Sequence, residues 1–411
     1  MTPDSAVKLL ALNQAFTPGA PVNNGDLFAG RLPQMQKIFS ATGQPGFHVV
    51  LFGERGVGKT SLANVTSRAM ADSGLVTVAK VTCDAGDNFT SVWRKALREI
   101  SFNSSRHPIG FTATPEAFQV PLADYLPSVA NPDDVRRLLE AASQKRSVLI
   151  VLDEFDRIKD RQSATLISDT IKGLSDYGVS ATILIIGVAD SVEQLIEGHQ
   201  SIERALVQIP MPRMSNEEIR QILDKGSQKL NINFNVEAQE RIIELAQGVP
   251  FIAHLLGLHS AEAAIRADSS SINGSFVRAG METSLAQWHE SIKRAYHAAV
   301  KSHQPGNIYR EVLLACALAP LDELGYFAAG DVRGPLTSIV GRDLDIPNFA
   351  QHLKAFCEDE RGPVLAREGQ LRRWRYRFVS PLMRPYVVMR GHVDGLLIDS
   401  RDLGSLESVK K

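Results

Sequence analysis

The most specific motif in the sequence is a glycine-rich run, Gly53-Glu54-Arg55-Gly56-Val57-Gly58-Lys59-Thr60. An apolar stretch at 47–52 precedes it and a helical pattern from Ser61 follows, the context that G-x-x-x-x-G-K-[ST] requires. Glycines let the loop curl with its N–H groups toward phosphate oxygens, and the following helix adds its positive dipole end. The run and Ser61 therefore predict a nucleoside triphosphate-binding loop, although a glycine-rich turn that carries a lysine by chance is the alternative. Lys59 would reach the β- and γ-phosphates for binding and catalysis, and Thr60 would offer its hydroxyl to Mg²⁺.

Two adjacent carboxylates, Asp153 and Glu154, follow a buried-strand pattern at 147–152. Asp153 is suited to holding Mg²⁺, directly or through water, and Glu154 to polarising the water that attacks the γ-phosphate. The alternative is that the pair only marks a change from strand to loop. Because no Asn-Lys-x-Asp motif for guanine occurs in the sequence, ATP and ADP are the expected nucleotides.

Two further polar residues are candidates for a part in hydrolysis. Asp190 follows the strand pattern at 181–186 and could orient the attacking water, cap the next helix, or do both. Arg204 precedes the last strand pattern and could reach the γ-phosphate of a neighbouring subunit, which implies a homo-oligomer in the ATP-bound state. An ordinary surface ion pair is the alternative for Arg204, and Arg213 is a weaker competitor for the same role.

Strand and helix patterns alternate along residues 32–209. Strands are predicted at 47–52, 75–83, 147–152, 181–186 and 206–209, and helices at 32–41, 60–72, 89–101, 133–145 and 165–176. This alternation predicts a three-layer α/β domain with a mainly parallel sheet. The proline-rich stretch 103–132 is expected to be a mostly irregular insertion.

The pattern becomes helical after residue 212, and no strand candidate occurs between 213 and 300. Helices are predicted from 215 and at 236–247, 250–267 and 275–298, then at 307–318, 331–340 and 347–357, with a hairpin-like pair near 363–379. The predicted organisation is an N-terminal arm at 1–26 with a short helix at 6–14, an α/β nucleotide-binding domain at 27–212, a helical lid at 213–300, a winged-helix-like domain at 301–390 and a flexible tail at 391–411.

Arginines are concentrated near the C-terminus, where residues 361–390 hold eight of them and one acid, although the net charge of the chain is -1. Strand alternation would put Arg373, Arg375 and Arg377 on one face and the aromatic residues between them on the other. These three arginines and Arg372 are candidate contacts to the phosphates of double-stranded DNA. Ion pairs with acids of the helical domain and docking on an acidic partner protein are the alternatives.

Composition sets outer limits on the class of protein. The chain has 411 residues, of which 44% are hydrophobic and 22% charged, as in a soluble protein of two or three domains. Its three cysteines form neither a disulfide framework nor a zinc motif. No apolar run approaches the roughly 20 residues that span a membrane, so we expect a cytoplasmic protein without a membrane partner.

With these motifs, the chain resembles AAA+ ATPases, closest in layout to the origin-recognition and initiator-like group with a C-terminal winged helix. It is also similar to the signal-transduction ATPases with numerous domains. The resemblance spans about residues 24–385, and the loop and the acid pair are its specific part. It implies that Phe28 and Arg31, in the run Leu27-Phe28-Ala29-Gly30-Arg31, lie over adenine.

One departure from the initiator pattern concerns the lid. Initiators carry Gly-Asp-Ala-Arg at the start of a lid helix, where the arginine senses the γ-phosphate, whereas this chain has Gly-Val-Pro-Phe at 248–251. The signalling ATPases have a similar proline, which implies that Pro250 packs near adenine. His254, one turn later, could partly replace the arginine. An ordinary helix stop followed by an N-terminal proline is the alternative for this motif.

The sequence therefore predicts a slowly hydrolysing ATP-dependent switch whose nucleotide state controls DNA binding through a winged helix. The alternative is a signalling- or defence-type ATPase that recruits a partner protein without contacting DNA. A third reading is a nucleotide-dependent clamp whose hydrolysis is vestigial.

Overall fold

The computed structural model describes residues 3–21, 28–106, 116–188, 200–302, 304, 306–322, 325–370 and 373–397. These residues form two compact units. The first unit contains the described residues of Pro21–Gly53 and Gly58–Met211. The second contains those of Met1–Ala20, Glu54–Val57 and Pro212–Lys411.

The described part of the chain forms helices and strands with the following bounds. The helices are α1 (Pro3–Ala15), α2 (Leu32–Thr42), α3 (Lys59–Asp72), α4 (Phe89–Arg98), α5 (Pro132–Ala142), α6 (Arg161–Asp176), α7 (Asn216–Leu230), α8 (Val236–Ala246), α9 (Pro250–Arg266), α10 (Gly274–Ala286), α11 (Glu290–Val300), α12 (Tyr309–Leu318), α13 (Ala329–Val340), α14 (Ile346–Ala355) and α15 (Met383–Val393). The strands are β1 (His48–Phe52), β2 (Val76–Thr82), β3 (Ser101–Arg106), β4 (Glu116–Pro121), β5 (Ser147–Asp153), β6 (Ala181–Gly187), β7 (Leu206–Pro210), β8 (Asn233–Phe234), β9 (Ser271–Ile272), β10 (Phe327–Ala328), β11 (Leu365–Glu368) and β12 (Arg375–Phe378). None of the helices described is both long and apolar enough to cross a membrane.

The first unit is built on a parallel sheet with the strand order β2-β5-β6-β1-β7. Strands β5 and β6 lie inside the sheet and are almost wholly buried, which explains their continuous apolar runs. In the register of β2 and β5, Thr82 lies opposite Asp153, so polar groups meet at the carboxyl end of these strands. The predicted α/β fold with a parallel sheet is confirmed.

The core of the first unit lies between the sheet and helices α4, α5 and α6. Trp93 and Leu97 of α4 pack there with Ile150 of β5 and Ile183 of β6, all fully buried. Cys83 joins this core, and burial is the main reason that its thiol pKa is raised to about 12. That thiol is therefore a packing residue rather than a nucleophile.

The segment expected to be irregular, 103–132, differs from the prediction. Strands β3 and β4 form an antiparallel ribbon in which Ser101 lies opposite Pro121, and a 3₁₀ turn at Leu122–Tyr125 follows. Residues 107–115 lie outside the described part. The prediction rested on the frequent prolines of this segment. Pro121, however, is the last residue of β4, and a proline is tolerated at the end of a strand although it lacks an N–H donor.

The helical part of the second unit departs from expectation in two places. The single helix predicted at 275–298 is two helices, α10 and α11, separated around Trp288. This indole is buried, with its ring centre 6.3 Å from that of Phe251 and 5.5 Å from that of Tyr386. The expectation of no strand between 213 and 300 is also wrong, because β8 and β9 form a short parallel pair.

The C-terminal part of the second unit contains the expected hairpin. Strand β12 pairs antiparallel with β11, with Leu365 opposite Phe378, and β10 pairs with its other edge. Helix α15 follows and continues past residue 390, the expected end of that domain. The ring of Tyr386 in α15 lies 5.4 Å from that of Tyr296 in α11, so the helices expected in separate lid and winged-helix-like domains pack together. Residues 398–411 of the expected tail lie outside the described part.

The N-terminal segment is packed within the second unit, although it was expected to be an arm that crosses the surface. Helix α1 contacts α7 and α9 and is followed directly by Phe16, which is fully buried. The Phe16 ring occupies space left by Gly226 and Gly257, where added Cβ atoms would collide with it. Its centre lies 6.1 Å from that of Phe234 and 6.2 Å from that of His254.

Candidate nucleotide-binding site

The glycine-rich loop connects β1 to α3, as the pattern requires, and its glycines adopt backbone conformations that other residues avoid. Gly53, Gly56 and Gly58 have φ angles of 154°, 85° and 94°. A Cβ at Gly53 would also collide with the carbonyl oxygen of Met211. The glycines are therefore demanded by the shape of the loop.

Lysine and threonine of the motif occupy the first turn of α3. The Lys59 ammonium donates a hydrogen bond to the Gly53 carbonyl oxygen at 2.7 Å, so this side chain folds back over the loop. The Thr60 hydroxyl donates to Asp153 Oδ1 at 3.2 Å, although the two residues are 93 positions apart in the chain. Ser61 follows in the same turn and is half-buried. The fold thus brings the loop and the acid pair together.

Asp153 ends β5 and is only 3% exposed. Its Oδ1 atom also accepts the backbone N–H of Glu154 at 3.0 Å, and its Oδ2 atom lies 3.3 Å from the Lys80 ammonium. The sequence interpretation missed Lys80. The available signal was a single charged residue within the otherwise uncharged strand β2.

Glu154 stands in the left-handed region, with φ 55° and ψ 39°. Such a conformation is uncommon for a residue other than glycine, and strained residues of this kind concentrate at functional sites. The Glu154 carboxylate is exposed and accepts a hydrogen bond from Arg157 Nη1 at 2.7 Å. Arg157, which the sequence interpretation also missed, therefore holds the group expected to polarise water.

The oxygen donors of this site fit a magnesium ion. The Thr60 hydroxyl and the Asp153 carboxylate are hard ligands, and Mg²⁺ is usually held by one or two protein oxygens together with phosphates and water. Within the described residues, no group of three or more His, Cys, Asp or Glu could form an all-protein cage. Thr60 and Asp153 are accordingly the residues that would hold Mg²⁺.

The middle of the loop, Glu54–Val57, belongs to the second unit. Arg213 binds Glu54 Oε2 through Nε at 3.0 Å and through Nη2 at 2.9 Å. A third hydrogen bond, 3.2 Å long, joins Arg213 Nη1 to the carbonyl oxygen of Gln247. Arg213, the weaker candidate for an arginine finger, is thus engaged within its own chain. Arg55 is exposed and Val57 is buried.

The lid residues singled out in the sequence start helix α9. Pro250 is buried at its first position, which suits a residue without a backbone N–H. His254 is buried one turn later, and its Nδ1 atom accepts the N–H of Thr17 at 3.3 Å. Burial lowers the pKa of His254 to about 4, so its imidazole is neutral near pH 7 and supplies no positive charge for a phosphate.

The remaining candidates for the nucleotide site are placed as follows. Phe28 is half-buried, and Arg31 is buried at the start of α2 with a φ of 64°. Arg204 is exposed in the 3₁₀ segment Gln200–Ala205, directly before β7. Asp190 lies outside the described residues. The roles of these four residues stay predictions.

The arginine-rich hairpin shows the predicted alternation over β12. Tyr376 and Phe378 are buried, whereas Arg375 is exposed and Arg377 half-buried. Arg375 forms an ion pair with Asp322. The guanidinium groups of Arg375 and Arg377 lie over the Tyr326 ring, at 5.2 and 5.1 Å from its centre.

The other arginine candidates flank that strand. Arg373 is exposed, and Arg372 lies outside the described residues. Trp374 departs from the expected buried face, since it is only half-buried and lies under Arg367, whose guanidinium is 4.8 Å from the indole centre. Whether any of these residues contacts DNA stays a prediction.

Comparison with protein families gives one match within the first unit. Residues 27–186 match the family model described as the AAA ATPase domain. This agrees with the resemblance expected from the loop and the acid pair. No curated protein matches the chain in sequence.

Among solved structures, the chain is similar to the ORC2 protein of Aeropyrum pernix, with 15% identity, a TM-score of 0.48, and coverage of 93% of this chain and 98% of the other. The Walker-type ATPase PABY2304 of Pyrococcus abyssi has 14% identity and a TM-score of 0.49, with 90% and 99% covered. The Aeropyrum pernix ORC1 protein in complex with DNA has 14% identity and a TM-score of 0.44, with 90% and 94% covered. Likeness at this level carries no conclusion about activity or partner.

Proposed function

We propose that this protein binds ATP with Mg²⁺ and hydrolyses it slowly as a molecular switch. The observation that carries the proposal is the 3.2 Å hydrogen bond from Thr60 to Asp153, at the base of a loop shaped by three positive-φ glycines. Two distant motifs that serve one reaction meet at this contact. The AAA ATPase domain match of residues 27–186 supports the same class of activity.

Each residue of the site has a definite part in this proposal. Backbone N–H groups of 53–60 and the Lys59 ammonium bind the phosphates, and Phe28, Arg31 and Pro250 are the proposed contacts for the rest of the nucleotide. Bound Mg²⁺ would neutralise charge on the phosphate oxygens. Glu154 accepts a proton from the attacking water, and Asp190 helps to orient that water.

Slow turnover is supported by two observations. Arg157 occupies the Glu154 carboxylate, which reduces its capacity to accept a hydrogen bond from water. The lid start at 248–251 carries no arginine, and the nearby His254 is buried and neutral.

Arg204 is exposed, as an arginine finger that acts on a neighbouring subunit must be. We therefore further propose that assembly of subunits in the presence of ATP accelerates hydrolysis.

Replacement of Glu154 by glutamine tests hydrolysis. In the wild type, bound ATP should convert to ADP, whereas Glu154→Gln should retain ATP because its amide is a far weaker proton acceptor. The measurement is the ATP-to-ADP ratio of protein-bound nucleotide over time in a single turnover. Glu99→Gln, at an exposed position after α4, is the matched control. Equal ATP lifetimes in the wild type and in Glu154→Gln would reject the ATPase.

For the output of the switch, we propose double-stranded DNA bound through the C-terminal hairpin, in a winged-helix-like domain. The support is the exposed position of Arg373 and Arg375 within a segment rich in arginine. Duplex binding in a mobility-shift titration should fall steeply with salt, and Arg373→Ala with Arg375→Ala should weaken it and reduce that dependence. Arg278→Ala removes an exposed arginine of α10 and should leave binding unchanged. No binding at about 50 mM salt would exclude DNA.

Recruitment of a partner protein is the second candidate output, and one observation favours it. Asp322 pairs with Arg375, so part of the arginine surface is already neutralised within the chain. A protein that binds ATP with the expected hydrolysis but shows no affinity for duplex DNA would support this candidate.

A further inference from the structure

Lys80 lies beside Asp153 but has no role in the proposed hydrolysis. It lies on the edge strand β2, and its ammonium is 3.3 Å from Asp153 Oδ2. The same ammonium donates a hydrogen bond to Asn64 Oδ1 at 2.5 Å. Asn64 lies on α3, one helical turn after Thr60. Lys80 therefore joins the helix that follows the phosphate loop to the strand that carries the metal-binding acid.

The burial of Asp153 explains why the Lys80 ammonium lies beside its carboxylate. A carboxylate that is 3% exposed loses most of its hydration, and it must be compensated by hydrogen bonds and opposite charge. Oδ1 receives the Thr60 hydroxyl and the Glu154 N–H, and Lys80 stands beside Oδ2. The two oxygens thus have different partners, and the one beside the lysine carries the ionic contact.

We propose that Lys80 and a divalent cation compete for the Asp153 carboxylate, so that Lys80 sets the Mg²⁺ concentration at which nucleotide is bound tightly. This inference rests on the proposed function, because it takes Asp153 as the residue that holds the metal. A fixed positive charge beside a dication raises the free energy of the metal-loaded site through Coulomb repulsion. Asn64 acts as a positioning residue, since its hydrogen bond to the ammonium holds Lys80 beside Asp153.

Magnesium dependence of nucleotide binding tests this competition. A fluorescent non-hydrolysable ATP analogue is bound to the full chain while Mg²⁺ is titrated, for the wild type, Lys80→Met and Lys80→Arg. Lys80→Met keeps most of the stem but removes the charge, and it should lower the half-saturating Mg²⁺ concentration by roughly three- to tenfold. Lys80→Arg keeps the charge and should stay within about twofold of the wild type.

Two further variants separate the local effect from other causes. Lys172→Met removes the same charge from an exposed position of α6 and should leave the Mg²⁺ dependence unchanged. Asn64→Leu removes the hydrogen bond that anchors Lys80 and should shift the Mg²⁺ dependence in the same direction as Lys80→Met, by a smaller factor. This variant also serves as the test if Lys80→Met does not fold.

Three results would overturn the inference. An unchanged or increased Mg²⁺ requirement in Lys80→Met would mean that Lys80 does not compete with the metal. An equal shift in Lys172→Met would attribute the effect to net charge. Absence of nucleotide binding by the wild type at any Mg²⁺ concentration would reject the proposed function itself, and with it this inference.

Discussion

Glu154 and Arg157 show how a local contact can restrain a reactive group. Glu154 is exposed and strained at φ 55°, and its carboxylate is directed to a guanidinium three residues later in the chain. Ion pairs between half-exposed side chains are weak, with typical contributions of about 0–1 kcal/mol. Arg157 therefore restrains the carboxylate without locking it, as expected for a group that must still meet water.

Replacement of Arg157 by glutamine is expected to raise ATP turnover. The variant frees the Glu154 carboxylate, and the weakness of the pair limits the gain to roughly threefold. Steady-state phosphate release measures this effect. Arg137→Gln, which removes an exposed pair with Asp133 on α5, is the control and should show wild-type turnover. A fall in turnover for Arg157→Gln would instead mean that Arg157 holds Glu154 in its productive position.

At the scale of secondary-structure elements, α1 is a helix whose position depends on packing more than on its own sequence pattern. Its apolar residues include exposed ones, such as Leu10 at 79% exposure, so its sequence pattern does not mark a clear buried face. Phe16, directly after the helix, fills the space left by Gly226 and Gly257. Phe16 thus adds to the contacts that α1 makes with α7 and α9.

Replacement of Phe16 by alanine should lower the free energy of unfolding of the second unit by about 3–5 kcal/mol. The substitution leaves a cavity beside two glycines, whose lack of side chains prevents them from filling it. Urea denaturation measures the change. Leu10→Ala is the control on the same helix, and its cost should remain within about 0.5 kcal/mol. A similar small cost for Phe16→Ala would mean that α1 does not contribute to the stability of this unit.

On the scale of the whole chain, Glu54 pairs with a residue of the second unit that lies far from it in sequence. Its partner Arg213 is 159 residues away in sequence and also binds the end of α8 through Gln247. Arg384 of α15 is buried nearby, donating to the carbonyl oxygens of Ala317 at 2.6 Å and Ala319 at 2.7 Å. Burial is the main cause that lowers the Arg384 pKa to about 9, Arg213 lowers it further, and Glu54 opposes the shift. Arg384 thus remains charged near pH 7.

A double-mutant cycle should detect energetic coupling between Glu54 and Arg213. Each of Glu54→Gln and Arg213→Gln is expected to cost about 1–2 kcal/mol of unfolding free energy, because each removes one charge of a partly buried ion pair. The double variant should cost about 1 kcal/mol less than the sum. The exposed pair Glu217–Arg220 is the control and should couple by less than about 0.5 kcal/mol. Additive costs would show that Glu54 and Arg213 are not coupled energetically.

Much of the first unit could be predicted from sequence because its signals are local. Strands β5 and β6 are continuous apolar runs, and the loop needs glycines whatever surrounds it. The break around Trp288 was not predicted, because the residues on both sides continue a helical pattern, and it occurs where the indole packs on Phe251 and Tyr386.

Residue type and short-range spacing suffice to specify the phosphate-binding motif, the acid pair and the parallel α/β fold. Only the packing of the folded chain specifies which charges face those residues. It placed Lys80 against Asp153 and Arg213 against Glu54, and it buried Phe16. These contacts join positions far apart in the chain, and their geometry follows from how strands and helices pack rather than from local pattern.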